Sequence, residues 1–373
     1  MSERARGDLS LVGRRLMSNR CRECGAPFYP RVFRRWNNDG TVTARFAPGN
    51  RVCHLESDAL CAIVDGLSSR IGYPIDRVVV EGQRKATRRL TDANLMPAHG
   101  ASGILARSRL GSHLAIDIIL GVGRTVGHGI TSEIAYRHGE YLEVEIRNPY
   151  CVPFVIGDAW GAFEAANNVT ADAEWEEKPG ALVVKLTRTR HGMVWQDPLR
   201  FCSTQLPRLP GNIRYERCPR CKLPREVTRN ISWDLDSGIV SSRVTGRREA
   251  TVIVESLQAV LLELESELGD EVPRMVQEIL AEYSGSMHRR ANGSALPLGY
   301  RPFLESLKYK GMGNPVKWES SGGILDVRID NPFSGVILAG MLQGVYRRVE
   351  GVEGDSRWNI SPDGFMKAVL FPA

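Results

Sequence analysis

The chain has 373 residues and a net charge of +6, with 42% hydrophobic and 25% charged residues, the profile of a globular protein long enough for two ordinary domains. No apolar run approaches the roughly 18 residues that suggest a membrane-spanning helix, and the Arg-rich segment 1–20 lacks the apolar core of a secretory signal. Eight cysteines in a chain of this size do not read as a disulfide framework, so a reducing, cytoplasmic setting is expected.

Residues 1–20 read as an N-terminal arm. The first motif follows at once: Cys21-Arg-Glu-Cys24-Gly25, reaching Trp36 and Asp39. The same four positions recur at an offset of 197 as Cys218, Cys221, Trp233 and Asp236. A helix comes next in both copies. Leu60, Ile63, Val64, Leu67 and Ile71 form one apolar stripe, and Leu257, Val260, Leu261, Leu264 and Leu268 form its counterpart. Gly72 and Gly269 supply the stops. A second helix carries Arg77 and Glu81 in one copy and Arg274 and Glu278 in the other.

The register is lost over a variable middle and returns at an offset of 183. Alternating strands Leu142–Ile146 and Leu325–Ile329 lead to Asn148-Pro149 and Asn331-Pro332, read as strand stops. A helix with glycines four apart follows (Gly157 and Gly161; Gly340 and Gly344), then Trp175 or Trp358, then a closing strand. The expectation is an N-terminal arm at 1–20, a first repeat over 21–187, a linker over 188–217 and a second repeat over 218–373. The expected fold class is α/β (α+β): two homologous domains of helices and antiparallel sheet about a pseudo-two-fold axis, bridged by a pair of zinc knuckles.

Each Cys-x-x-Cys supplies two thiolates, and a structural zinc takes four in a tetrahedron. Cys21, Cys24, Cys218 and Cys221 are therefore expected to share one zinc. Structural zinc contributes about 10–16 kcal/mol in small peptides. Closing a loop of this length costs on the order of 5 kcal/mol, so the metal wins. Four thiolates leave no open position, which makes the site structural. A redox disulfide is the competing chemistry, but neither pair opens a helix after a buried strand. Vestigial cysteines without metal are the third reading.

The glycine-spaced helix reads first as close backbone packing, and Trp160 and Phe163 on its flank as core; the alternative is that both line a ligand cavity. The variable middle of the first repeat holds His99, His113, His128 and His138, where the second has only His288. A loop bearing surface histidines is the plain reading. Metal or haem binding, or acid–base work near neutral pH, is the functional one, with His113 and His128 the ligand candidates. No catalytic triad order, Walker loop or His-Glu-x-x-His is present.

Val144-Glu-Ile-Arg-Asn148-Pro149, Phe154-Val-Ile-Gly157 through Gly161-Ala-Phe-Glu164, Val78-Val-Val-Glu81-Gly-Gln-Arg-Lys-Ala86, and Val327–Pro332 with Ala339-Gly340 through Gly344-Val-Tyr346 resemble the 4-vinyl-reductase-type ligand-binding domain. That superfamily includes small subunits of the TRAPP membrane-tethering complex. The resemblance covers most of each repeat but not the Cys-x-x-Cys hairpins. It implies an apolar pocket for a small hydrophobic molecule. Sensor members carry a Cys-containing metal motif near the last strand; Trp175–Leu186 and Trp358–Phe371 contain no Cys, so neither that site nor reductase activity is carried over. No helix-turn-helix or ATPase module follows, so output is expected through a protein partner. The expected function is a zinc-stabilised sensor, carrier or accessory factor for a small apolar or aromatic ligand. The alternatives are an enzyme or enzyme-assembly factor using the His-rich segment, and, ranked last, a nucleic-acid binder using the Arg residues around both knuckles, where stacking aromatics are sparse.

Overall fold

The computed structural model describes residues 19–46, 49–95, 105, 107–189, 206–287, 295 and 299–373. A short helix α1 (Phe28–Phe33) leads into β1 (Arg34–Trp36), β2 (Val42–Ala44) and β3 (Arg51–Glu56). Helices α2 (Ser57–Ile71), α3 (Asp76–Leu95) and α4 (Arg109–Val126) follow. Then come β4 (Ile130–Arg137), β5 (Tyr141–Arg147), α5 (Val152–Asn167), β6 (Ala171–Lys178) and β7 (Ala181–Arg188). The order begins again with α6 (Arg225–Asn230), β8 (Ile231–Asp234), β9 (Ile239–Ser242), β10 (Arg248–Ile253), α7 (Val254–Leu268), α8 (Val272–Gly285) and α9 (Tyr300–Lys310). It ends with β11 (Asn314–Ser321), β12 (Ile324–Asp330), α10 (Gly335–Glu350), β13 (Gly354–Ile360) and β14 (Phe365–Pro372).

The fold class is mixed helix and antiparallel sheet. Two four-stranded sheets share one topology, β4-β5-β7-β6 and β11-β12-β14-β13. Their central strands alternate as the sequence requires: Leu142, Val144 and Ile146 are buried on β5, and Leu325, Val327 and Ile329 on β12. The third sheet has six strands, β1-β2-β3-β10-β9-β8. Its central β3–β10 register sets His54 opposite Thr251, residues separated by the same 197 positions that relate the two Cys-x-x-Cys motifs.

The apolar stripes become the buried faces of α2 and α7, through Leu60, Ile63, Val64 and Leu67 and through Leu257, Val260 and Leu264. The glycine-spaced helices α5 and α10 lie hard against α3 and α8. A Cβ at Gly161 would sit 2.3 Å from the Arg84 carbonyl oxygen, and one at Gly344 2.5 Å from that of Ala281. Glycine is required here because another backbone occupies the place of a side chain.

Compactness divides the described residues into two units that interleave along the chain. The first contains those up to Pro30, those from Asp76 to 189, and Trp233–Val240; the second contains Arg31–Ile75, 206 to Ser232, and Ser241–Ala373. Each unit includes a hairpin turn from the other half of the sequence. In the first unit, Asn148 Nδ2 donates to the Ser237 carbonyl at 3.1 Å and the Gly129 N–H donates to that of Gly238 at 3.2 Å. In the second, Asn331 Nδ2 donates to the Asp39 carbonyl at 3.1 Å. Asn148 and Asn331 both hold positive φ, 53° and 54°, a conformation asparagine tolerates better than most residues. Asn-Pro is therefore more than a strand stop; its side chain clamps a distant turn. Part of the expected linker joins the second clamp. The Leu209 N–H donates to Asn331 Oδ1 at 2.8 Å, and Arg208 Nη2 donates to Asp39 Oδ2 at 2.6 Å.

Replacing Gly161 or Gly344 by Ala forces two helices apart and is expected to cost about 1–3 kcal/mol. Gly49→Ala, where an added Cβ meets nothing within 4 Å, should cost far less. Urea unfolding of the three variants checks the contrast.

Candidate metal centre and ligand chamber

Each Cys-x-x-Cys forms a knuckle closed by its own backbone. The Gly25 N–H donates to the Cys21 carbonyl and the Lys222 N–H to the Cys218 carbonyl, both at 2.9 Å. Gly25 holds φ 73°, and Lys222 takes nearly the same left-handed conformation at 64°, so the missing glycine in the second copy does not change the turn. The preceding arginines serve equivalent roles. Arg20 donates to the Gly25 carbonyl and to that of Trp233, at 3.2 and 2.8 Å. Arg217 donates to the carbonyls of Lys222 and Trp36, both at 3.1 Å. Arg225 and Arg229 pair with Glu216. These guanidinium groups already have protein partners.

Ligand sulfurs of Cys21, Cys24, Cys218 and Cys221 all lie within 4.8 Å of one another, close enough to hold a metal ion. Cys21 and Cys218 are 2% and 0% exposed. Tetrahedral zinc with Zn–S bonds of 2.3 Å separates its sulfurs by about 3.8 Å, so this donor set fits such an ion with small adjustment.

The His-bearing middle is helical over Arg109–Val126, capped by the Ser108 hydroxyl accepting from the Gly111 N–H at 3.2 Å, where the plain reading expected a loop. His99 lies outside the described residues, as does His288. His113 faces Glu133 through Nε2 at 3.2 Å and Asp117 through Nδ1 at 3.8 Å, and stacks on Tyr136. These three residues form a second group able to hold a metal ion. The i,i+4 spacing puts His113 and Asp117 on one helix face, and β4 brings Glu133 to it. His128 belongs to a separate network: its Nδ1 lies 3.5 Å from Asp158 Oδ2, and its ring stacks on Tyr150, whose hydroxyl donates to the same carboxylate. The Tyr136 hydroxyl lies 3.3 Å from His138 Nδ1. Trp160 donates to the Ala171 carbonyl at 3.0 Å under the Arg84 guanidinium, and Phe163 is fully buried.

The second unit contains a chamber of about 70 Å³, which the sequence reading did not single out. Met287, Met312, Met341, Val345 and Phe303 supply apolar walls; Glu56, Ser284, Lys310 and Arg348 supply polar groups. No local periodicity marks it, because its residues come from β3, β9, α8, α9, α10 and intervening loops. A buried ion pair stands at its edge, with Lys310 Nζ 2.6 Å from Glu249 Oε1. Burial acts to lower the Lys310 ammonium, but Glu249, Tyr309 and Glu56 outweigh it and the net shift is upward. Nearby His54 is pushed down to about 3 by burial, with Lys310 and Arg34 adding to the effect.

The His54 shift sets an acid limb. Below its ordinary value of about 6.5 the unfolded chain takes up a proton that the folded chain refuses, so stability rises with pH between about 3 and 6.5. Denaturant titrations should show that His54→Gln flattens this limb relative to wild type. No protein-family model, curated protein or solved structure matches the chain.

Proposed function

We propose that this protein is a zinc-stabilised binder of a small, largely apolar molecule, acting as a sensor, carrier or accessory factor that passes its state to a protein partner. The observation that carries the reading is the methionine-walled chamber of the second unit. Methionine is flexible and polarizable, so such walls adapt to an occupant. The zinc is structural: Cys21, Cys24, Cys218 and Cys221 would hold it, and its contribution is to fold stability. The ligand reading moves from the neighbourhood of Trp160 and Phe163, whose side chains are engaged in the core of the first unit, to this chamber. Among the described residues no helix is long and apolar enough to cross a membrane.

Protein purified under native conditions should carry about one zinc per chain, and Cys218→Ser should reduce it well below that and lower the melting temperature. Unchanged zinc affinity in the variant would defeat the shared site. Native mass spectrometry is expected to reveal a small co-purifying molecule that survives Cys218→Ser less well than wild type; an empty wild-type chain counts against the ligand reading.

A second reading, an enzyme using the His-bearing segment, is favoured by the His113, Asp117 and Glu133 group. One imidazole and two carboxylates leave coordination positions open, as catalytic sites require. Manganese titration followed by electron paramagnetic resonance should show saturable binding that His113→Ala removes; identical spectra for both proteins would dismiss this reading.

A further inference from the structure

We propose that the chamber of the second unit selects a neutral molecule of a few heavy atoms bearing one oxygen acceptor, hydrogen-bonded by Ser284, in preference to a hydrocarbon or an organic anion. This rests on the ligand-binding reading above and specifies the chemistry of that ligand.

Ser284 stands on the penultimate position of α8 (Val272–Gly285), lines the chamber and is 1% exposed. Its hydroxyl oxygen is buried without a hydrogen-bond partner. Leaving a buried hydroxyl unsatisfied is destabilising, so the position favours an occupant that can bond to it. Arg348 is a second donor at the same chamber. Its Nη1 donates to the Met287 carbonyl at 3.0 Å, while its Nε is buried without a partner. Arginine only donates, and serine can donate. The group common to both is an acceptor oxygen.

Charge decides which acceptor. Two cations, Lys310 and Arg348, and one anion, Glu56, line the space, and Glu249 is ion-paired with Lys310. Glu56 acts electrostatically on Arg348. Its two oxygens already accept from the Tyr283 hydroxyl at 2.7 Å and the Thr245 hydroxyl at 3.2 Å. Positive and negative charges are thus balanced. A carboxylate ligand would add a net negative charge to a buried site whose charges already balance, a desolvation cost greater than one hydrogen bond returns. A carbonyl or hydroxyl oxygen adds no charge.

Size limits the rest. The chamber's volume, about 70 Å³, is roughly half that of the apolar cavity of about 150 Å³ that holds benzene. A ligand of about four or five heavy atoms fits that space, with its carbons against Met287, Met312 and Met341.

The test uses the full chain with 13C-methyl methionine and three probes: 2-butanone, xenon and propionate. Saturable shifts of the Met287, Met312 and Met341 methyls with 2-butanone are expected, with weak or no response to propionate. Ser284→Ala should weaken 2-butanone about five- to tenfold, the loss of one hydrogen bond, while xenon perturbs the same methyls equally in both proteins and reports that the chamber is intact. Unchanged 2-butanone affinity in the variant, or propionate binding as tightly as 2-butanone, overturns the proposal while the xenon response keeps the ligand-binding reading. Silence of all three methyls toward both xenon and 2-butanone removes that reading and this inference with it.

Discussion

The fold depends on two asparagine side chains that reach across the chain. Asn148 and Asn331 end equivalent strands in a left-handed conformation, and each clamps a hairpin turn encoded in the other half of the sequence. A backbone carbonyl at a turn tip is an obligatory acceptor when buried. Asn331 is itself buried and bonds both the Asp39 carbonyl and the Leu209 backbone. Close glycine contacts complete each clamp: a Cβ at Gly238 would lie 2.4 Å from the Gly129 carbonyl carbon, and one at Gly40 2.5 Å from that of Gly313. Each compact unit is thus assembled from distant pieces of chain, and the interleaving of segments follows from these bonds.

Strands leading into the same hairpins hold the knuckles. Arg20 and Arg217 tie each knuckle turn to a tryptophan carbonyl 213 and 181 residues away, respectively. These side chains thus tie distant parts of the chain together. The four cysteines then gather where one metal ion can be held. A closed four-thiolate centre of this kind contributes stability and leaves no open coordination position.

The two halves differ in their polar clusters and cavities. In the first, helix α4 places His113 and Asp117 beside Glu133. In the second, residues of β3, β9, α8, α9 and α10 line the methionine-walled chamber, with the buried Lys310–Glu249 pair at its edge. Removing either partner of a buried pair leaves an uncompensated charge, so Lys310 and Glu249 constrain the chamber's edge while Met287, Met312 and Met341 leave its walls adaptable.

The amino-acid sequence by itself determined the local elements. Periodicity placed the stripes of α2 and α7, alternation placed β5 and β12, and Gly72 and Gly269 placed helix stops, because these signals are local and each element must bury one face. The spacing of Cys21, Cys24, Cys218 and Cys221 was also legible, since a metal demands a fixed number of ligands. His113 and His128 stood out as candidates, but their separate carboxylate partners did not. Only the tertiary structure decided which turn each asparagine clamps, how α4 meets β4, and that Ser284, Arg348 and Glu56 share one chamber. Those relations join residues far apart in the chain through shape and side-chain hydrogen bonds, which leave no period and no spacing for a linear reading to detect.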